Sequence, residues 1–195
     1  MLVVFICIIS CGTKSPEQKK QSGFYITKPE NWKTLSDDKL ISNLQKFDIS
    51  EEKMSEILKN HNGSAVLAIY MKYDPKEYPG LIPTIQVNMR KSGAVNYEGF
   101  KKVMVNSIEQ FKQVFDNFTI VEGPFDIEVD GHKTFWFMST FDMKTQAGDV
   151  WTVRSWTYGI YNGNHFYQLN FSDEVNGPDD CAALYKEVLK SVKLN

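Results

Sequence analysis

Carboxylates occur in four adjacent pairs in this chain, Asp37-Asp38, Glu51-Glu52, Asp173-Glu174 and Asp179-Asp180. Paired carboxylates are what general acid–base catalysis and hard-cation binding both require. Three of the pairs fall where helices are expected to begin, so complementing the positive end of a helix dipole accounts for them without catalysis. The C-terminal set, Asp173, Glu174, Asp179 and Asp180, offers oxygen ligands but lacks the Asp-x-Asp-x-Asp-Gly spacing of a calcium loop. His61, His132 and His165 lie far apart in the sequence, and none belongs to an HxH, HExxH or Cys/His cluster with zinc spacing. The sequence has no Gly-x-Ser-x-Gly elbow, no Walker A loop and no Gly-x-Gly-x-x-Gly. A thiolate at Cys181 would be opposed by Asp179 and Asp180 beside it, so Cys181 reads as a small buried thiol. No catalytic residue, metal ligand or cofactor is assigned, and the chain is expected not to be an enzyme. A hydrolase built from a dispersed acidic or His pair is kept as an alternative.

Two further features carry binding chemistry. Arg154 stands on the apolar face of an expected hairpin from Val150 to Phe171. One reading makes it a strand-end residue whose stem packs on aromatics while its head reaches water. The other makes it an anion-binding group at the sheet edge, the polar anchor of a carrier for a small apolar or anionic ligand. The second feature is the Tyr73 to Pro83 stretch, punctuated by Pro, Tyr and Gly. Tyr73, Tyr78 and Leu81 make it the expected partner-binding surface, because loops on a rigid sheet carry recognition and Tyr is enriched at interfaces. A self-packed connector is the alternative for the same loop.

The first ten residues, MLVVFICIIS, are nearly all apolar and run into Cys11-Gly12 and then the polar TKSPEQKKQSG. The apolar run is too short to span a bilayer and has the length and small-residue end of a secretory h-region. Ile8-Ile9-Ser10-Cys11 resembles the lipobox of bacterial lipoproteins, although the basic residues expected before the apolar run are missing. The resemblance implies a signal peptide at 1–10, an acylated Cys11, and a spacer over 11–22 that anchors the chain to the bilayer of the cell envelope. With Cys7 removed and Cys11 acylated, Cys181 is left without a disulfide partner. Gly12 is not the Asp that resembles an inner-membrane retention signal, which leans the expected location toward the outer membrane, facing the periplasm or the surface.

A length of 195 residues and 42% hydrophobic content suit one domain, placed at 23–195. Twenty-two basic and 24 acidic residues, a formal net charge of −2, are well mixed along the chain. That leaves no basic footprint for nucleic acid, so no nucleic-acid partner is expected.

The elements that must position these residues follow from periodicity and turn chemistry. A short strand at Phe24 to Thr27 precedes Trp32, a core plug. Two helices are expected next, one after Ser36 with Leu40, Ile41, Leu44 and Phe47, the other after Ser50 with Met54, Ile57 and Leu58. Strands at Ala65 to Tyr73 and Thr84 to Lys91 follow. A long helix over Tyr97 to Phe118 carries a stripe of Phe100, Val103, Met104, Ile108, Phe111, Val114, Phe115 and Phe118. Strands at Thr119 to Gly123, Phe125 to Val129 and His132 to Phe141 turn at Asp130-Gly131. The last hairpin turns at Asn162-Gly163 as type I′, which sets Ile160 opposite His165 and Arg154 opposite Phe171. A final helix opens at Pro178, with Asp179 and Asp180 in its first turn.

Runs of hairpins flanked by helices argue for an α+β fold, an α/β/α sandwich with a central, mainly antiparallel sheet. The segments Gly23-Phe-Tyr-Ile-Thr-Lys-Pro-Glu-Asn-Trp32, Val129-Asp-Gly-His132, Tyr161-Asn-Gly-Asn164 and Val188-Leu-Lys-Ser-Val192 resemble the PsbP-like superfamily. That group includes photosystem-associated PsbP proteins, Ran-binding Mog proteins and small bacterial lipoproteins such as DcrB. The resemblance implies architecture more than activity, since members share a fold and bind different partners. A membrane-anchored envelope protein acting as a binding or assembly module is therefore the expected function.

Overall fold

Two tight turns frame the sheet. The computed structural model describes residues 23–35, 63–144 and 148–194. At the first turn Asp130 and Gly131 both take positive φ, 48° and 78°, the type I′ geometry that joins β5 (Asp116–Val129) to β6 (His132–Lys144). At the second, joining β7 (Val150–Asn162) to β8 (His165–Glu174), Gly163 alone is positive, at 66°. A glycine at the first of two central positions is the type II′ signature, so the turn centres on Gly163-Asn164 and not on Asn162-Gly163. The correction moves the register by two: Ile160 pairs with Tyr167, Trp156 with Phe171 and Arg154 with Asp173. A shift of two keeps each side chain on its expected face and changes only its neighbour.

The other elements are β1 (Phe24–Tyr25), β2 (Lys33–Thr34), β3 (Ser64–Met71), β4 (Thr84–Lys91), α1 (Tyr97–Val114), α2 (Ala182–Lys190) and β9 (Lys193–Leu194). The main sheet runs β2-β3-β4-β8-β7-β6-β5, with every neighbouring pair antiparallel. β1 and β9 form a separate two-stranded ribbon. Among the described residues, no helix is long and apolar enough to cross a membrane.

Side chains alternate along strands, so each sheet face can be followed by parity. On the first face Trp156, Tyr158, Ile160, Tyr167, Leu169 and Phe171 meet Tyr185 and Val188 of α2, with Phe24, Trp32 and Leu194 closing the cluster. On the second face Phe135, Phe137 and Phe166 lie under Tyr97, Phe100, Met104 and Ile108 of α1. Gly159 of β7 lets α1 approach closely, since a Cβ there would lie 2.8 Å from Phe100 Cζ and 3.0 Å from Met104 Cε. The chain is an α+β protein with a large antiparallel sheet and one described helix on each face. The aromatic hairpin face is core, covered by α2.

Several boundaries depart from sequence expectation. The long helix stops at Val114 because Phe115 is extended and Asn117 turns the chain at φ 54°. The stripe misleads because Phe115 and Phe118 stay apolar after the helix ends, packing with Phe111 and Phe141. Val103 and Val114, expected on the buried stripe, are exposed. The two strand segments before Asp130 are one bulged strand, with register shifts and a cis Gly123-Pro124 bond. The last helix begins at Ala182, and Asp179 and Asp180 lie in the segment before it. Ser10, Cys11, the two helices expected between Ser36 and Leu58, both of their acidic pairs, and His61 lie outside the described residues.

Candidate functional site

The residues with the most chemistry converge where β3, β7, β8 and the approach to α2 meet. Register brings Arg154 of β7 opposite Asp173 of β8. Arg154 Nε donates to Asp173 Oδ1 at 2.9 Å and Nη2 to Oδ2 at 3.0 Å, a two-point contact. Nη2 also donates to Asp180 Oδ1 at 2.9 Å, and the guanidinium lies 4.8 Å from the Trp156 ring centroid. Asp173 is fully buried and takes a third hydrogen bond, from the Cys181 backbone N–H at 3.1 Å. The hydrogen bonds to Asp173 hold the Arg154 guanidinium above even its usual high pKa. A buried carboxylate persists as an ion only when paired and hydrogen-bonded, and Arg154 and Cys181 supply both conditions.

A second group adjoins it. Lys72, just past β3, pairs with Asp179, and Tyr73 donates its hydroxyl to the same carboxylate at 2.8 Å. Burial raises the pKa of Asp179, but the hydrogen bonds from Lys72 and Tyr73 outweigh it and leave the carboxyl below its ordinary value. The Ala182 backbone N–H and Arg154 likewise depress Asp180. Beneath them Cys181 is buried and free, and its burial raises the thiol pKa, which keeps thiolate scarce. Tyr185 donates its hydroxyl to the Ser172 carbonyl at 2.6 Å.

The sequence-predicted residues divide as follows. Arg154 sits in this network, its positive charge facing two carboxylates. Tyr73 joins the network through its hydroxyl and stacks on Tyr78, ring centroids 4.3 Å apart. The loop between β3 and β4 is further shaped by Asp74, which accepts from the Lys76 N–H at 3.0 Å and pairs with Lys33 at 3.1 Å. Tyr78 and Leu81 are half-buried at the same end of the sheet. Asp173, Asp179 and Asp180, read as helix-dipole groups or weak cation ligands, instead bind Arg154, Lys72 and Tyr73. Among the described residues, no group of three or more His, Cys, Asp or Glu is placed to hold a metal ion. In the sequence Lys72 is marked by little more than being a charge next to Tyr73 at the end of a strand.

Two clusters lie at the opposite end. His165 contacts the Asn162 side-chain amide at 3.1 Å and the Tyr167 hydroxyl at 3.3 Å, and burial lowers its pKa to about 4. In the shallow cleft between α1 and the β5–β6 hairpin, Asp126 accepts from Tyr97 at 2.9 Å and pairs with Lys101 at 2.5 Å.

Sheet order, helix placement and the ion-pair network together define the class: an α+β protein whose described residues form a seven-stranded antiparallel sheet, with charged groups at one end linked to each other. No protein-family model matches the chain, and no curated protein matches it. Among solved structures it is similar in fold to LpqN of Mycobacterium tuberculosis, described as involved in cell envelope biogenesis. The TM-score is 0.50 at 13% identity, over 92% of this chain and 87% of that one. Two likenesses have a TM-score of 0.41. One is a Pseudomonas aeruginosa protein of unknown function, at 13% identity over 63% of this chain and 78% of that one. The other is a Bacteroides thetaiotaomicron protein, at 14% identity over 88% and 45%.

Proposed function

We propose that this protein is a lipid-anchored lipoprotein of the bacterial cell envelope, of PsbP-like architecture, that works by binding and assembly and not by catalysis. The observation that carries the reading is the shared fold with LpqN over nearly the whole of both chains. The description of that protein as involved in cell envelope biogenesis agrees with the lipobox-like Ile8-Ile9-Ser10-Cys11 of this sequence. The anchor is the acylated Cys11, and each buried methylene of its acyl chains contributes about 0.8 kcal/mol to membrane attachment. A protein partner is contacted through the Tyr73, Tyr78 and Leu81 loop, which internal bonds hold in one shape and so spare part of the ordering cost of binding. The carrier reading has less support, because its anion anchor, Arg154, already faces Asp173 and Asp180.

Intact-mass measurement of protein extracted from its native membrane tests the anchor. The expected species lacks residues 1–10 and carries acyl chains on Cys11; a full-length, unmodified chain would overturn the reading.

A further inference from the structure

Among the described residues, three aromatic rings carry a cation supplied by the chain itself. Lys72 lies 5.4 Å from the Tyr73 ring centroid, Lys133 lies 5.5 Å from that of Tyr97, and Arg154 lies 4.8 Å from that of Trp156. A carboxylate completes each arrangement. Asp179 serves Lys72 and Asp173 serves Arg154. For Lys133 it is Asp126, held below its ordinary pKa by the Lys101 hydrogen bond and in part by the Lys133 charge. One aromatic row has the carboxylate and lacks the cation. It crosses the first sheet face at the β5 edge, where register sets Phe125 of β5 beside Trp136 of β6, and Trp136 beside Tyr158 of β7. Ring centroids are 5.8 Å and 5.7 Å apart, so the three rings form one contiguous surface. Phe125 ends the row on the outermost strand and is 50% exposed. One ladder step along, Glu122 pairs with Met138. Glu122 and Phe125 stand three residues apart and would ordinarily point to opposite faces; the bulge between them adds a residue and brings both to this one.

Glu122 is exposed and makes no ion pair or hydrogen bond among the described residues. The cations on the flanking elements are placed otherwise: Arg154 of β7 binds Asp173 and Asp180, Lys144 of β6 binds Asp116, and Lys190 of α2 binds Glu187. Lys186 of α2 is exposed and makes no ion pair with Glu122. Two donors in the row are unused as well. Tyr158 is only 7% exposed, yet neither its hydroxyl nor the Trp136 indole N–H has a hydrogen-bond partner among the described residues. No polar side-chain atom sealed from solvent lacks a partner there, so both groups open to the surface. Burial pushes the Tyr158 hydroxyl up to about 12, and the Glu122 charge pushes it the same way, which sets the carboxylate and the phenol in one electrostatic neighbourhood.

We propose that Glu122, Phe125, Trp136 and Tyr158 form a binding site for an organic cation, a guanidinium or ammonium group with a hydrogen-bond acceptor beside it. Aromatic faces attract a cation through the ring quadrupole, and Glu122 supplies the counter-charge. The acceptor takes the Trp136 N–H and the Tyr158 O–H. The site lies toward the opposite edge of the sheet from the Tyr73 loop and needs no anchor at Cys11. An arginine or lysine side chain of a polypeptide and a quaternary ammonium headgroup both carry this chemistry.

The test uses the full chain in detergent micelles, isotope-labelled at its indole nitrogens, with W136F to identify the Trp136 resonance. Titration with N-acetylarginine methylamide, and separately with choline, is expected to shift that resonance saturably in the millimolar range. The neutral N-acetylcitrulline methylamide, matched in shape to the arginine probe, should bind at least about fivefold more weakly. E122Q keeps the size of an exposed side chain and should leave the melting curve unchanged while weakening the charged probes about threefold or more. F125L, which removes the exposed ring, should weaken them by about as much. Tighter binding of the arginine probe assigns the cation to a peptide side chain, and tighter binding of choline assigns it to a quaternary headgroup. No saturable shift from either charged probe, citrulline binding equal to arginine, or unchanged binding to E122Q or to F125L would overturn the proposal.

Discussion

Arg154 and Asp173 face each other only because the turn centres on Gly163-Asn164. The sequence marks Arg154 as unusual, a charge on an aromatic face, but its partner depends on a register that two adjacent turn placements leave ambiguous, since both keep the faces segregated. That is why an anion-binding role was legible as an idea while the ion pair was not. The pair has a definite energetic consequence. Asp173 is fully buried, and R154M would leave its charge with only the Cys181 N–H as donor. Removing one partner of a buried pair costs roughly 3–5 kcal/mol; with the Arg154 side chain 25% exposed, about 2–3 kcal/mol is expected. Replacing both residues, R154M with D173L, should recover much of that loss, because an apolar pair of similar volume leaves no stranded charge. Urea denaturation of the two variants measures both values, and an R154M protein within about 0.5 kcal/mol of the parent would show that the pair is structurally dispensable.

At the scale of elements, most strands and the start of the long helix can be read from alternation, from the apolar stripe that opens at Phe100 and from the Asp130-Gly131 turn. The end of that helix cannot, because the apolar residues after it continue its spacing while serving a strand. The contact between α1 and the sheet is equally hidden in sequence: Gly159, in the middle of a run that reads as a strand, looks like a weak point for β propensity. Its role appears only with Phe100 and Met104 above it. G159A should therefore destabilise the protein by about 1–3 kcal/mol, the cost of overpacking, despite the better strand propensity of alanine. Phe100 is fully buried and held by Tyr97, Tyr161 and Phe166, so its ring has little room to move aside. Adding F100L to G159A should then return part of the stability lost, and a strictly additive loss in the double variant would refute the close-approach explanation.

Across the whole molecule, hairpin pairs are local and readable, but the pairing of β4 with β8 joins segments far apart in sequence, which periodicity cannot specify. One outer strand of the sheet, β2, is two residues long, and the other, β5, is broken by bulges and Pro124, features that discourage edge-to-edge association. The β1–β9 ribbon closes the molecule over the end of the β7–β8 hairpin, where Tyr167 lies tilted against Phe24 and edge-on to His165. This closure makes global stability pH-dependent in a particular way. Burial lowers the His165 pKa from 6.5 to about 4, so between those values the unfolded chain binds a proton that the folded one does not. Stability is therefore complete above about pH 6.5, falls as pH drops toward 4, and stops changing from this source below that. At about 1.4 kcal/mol for each pH unit, the loss is on the order of 3 kcal/mol. Carboxylates held below their ordinary pKa, among them Asp126, Asp130 and Asp179, act in a separate window. Their stabilisation is present above the ordinary carboxylate value of 3.8 and is lost as pH falls through their lower folded values. Denaturation midpoints from pH 8 to 3 should thus show two descending limbs. H165Q, which keeps a polar group near Asn162 but cannot titrate, should abolish the upper limb and leave the lower one; an upper limb that survives in H165Q would place its origin elsewhere.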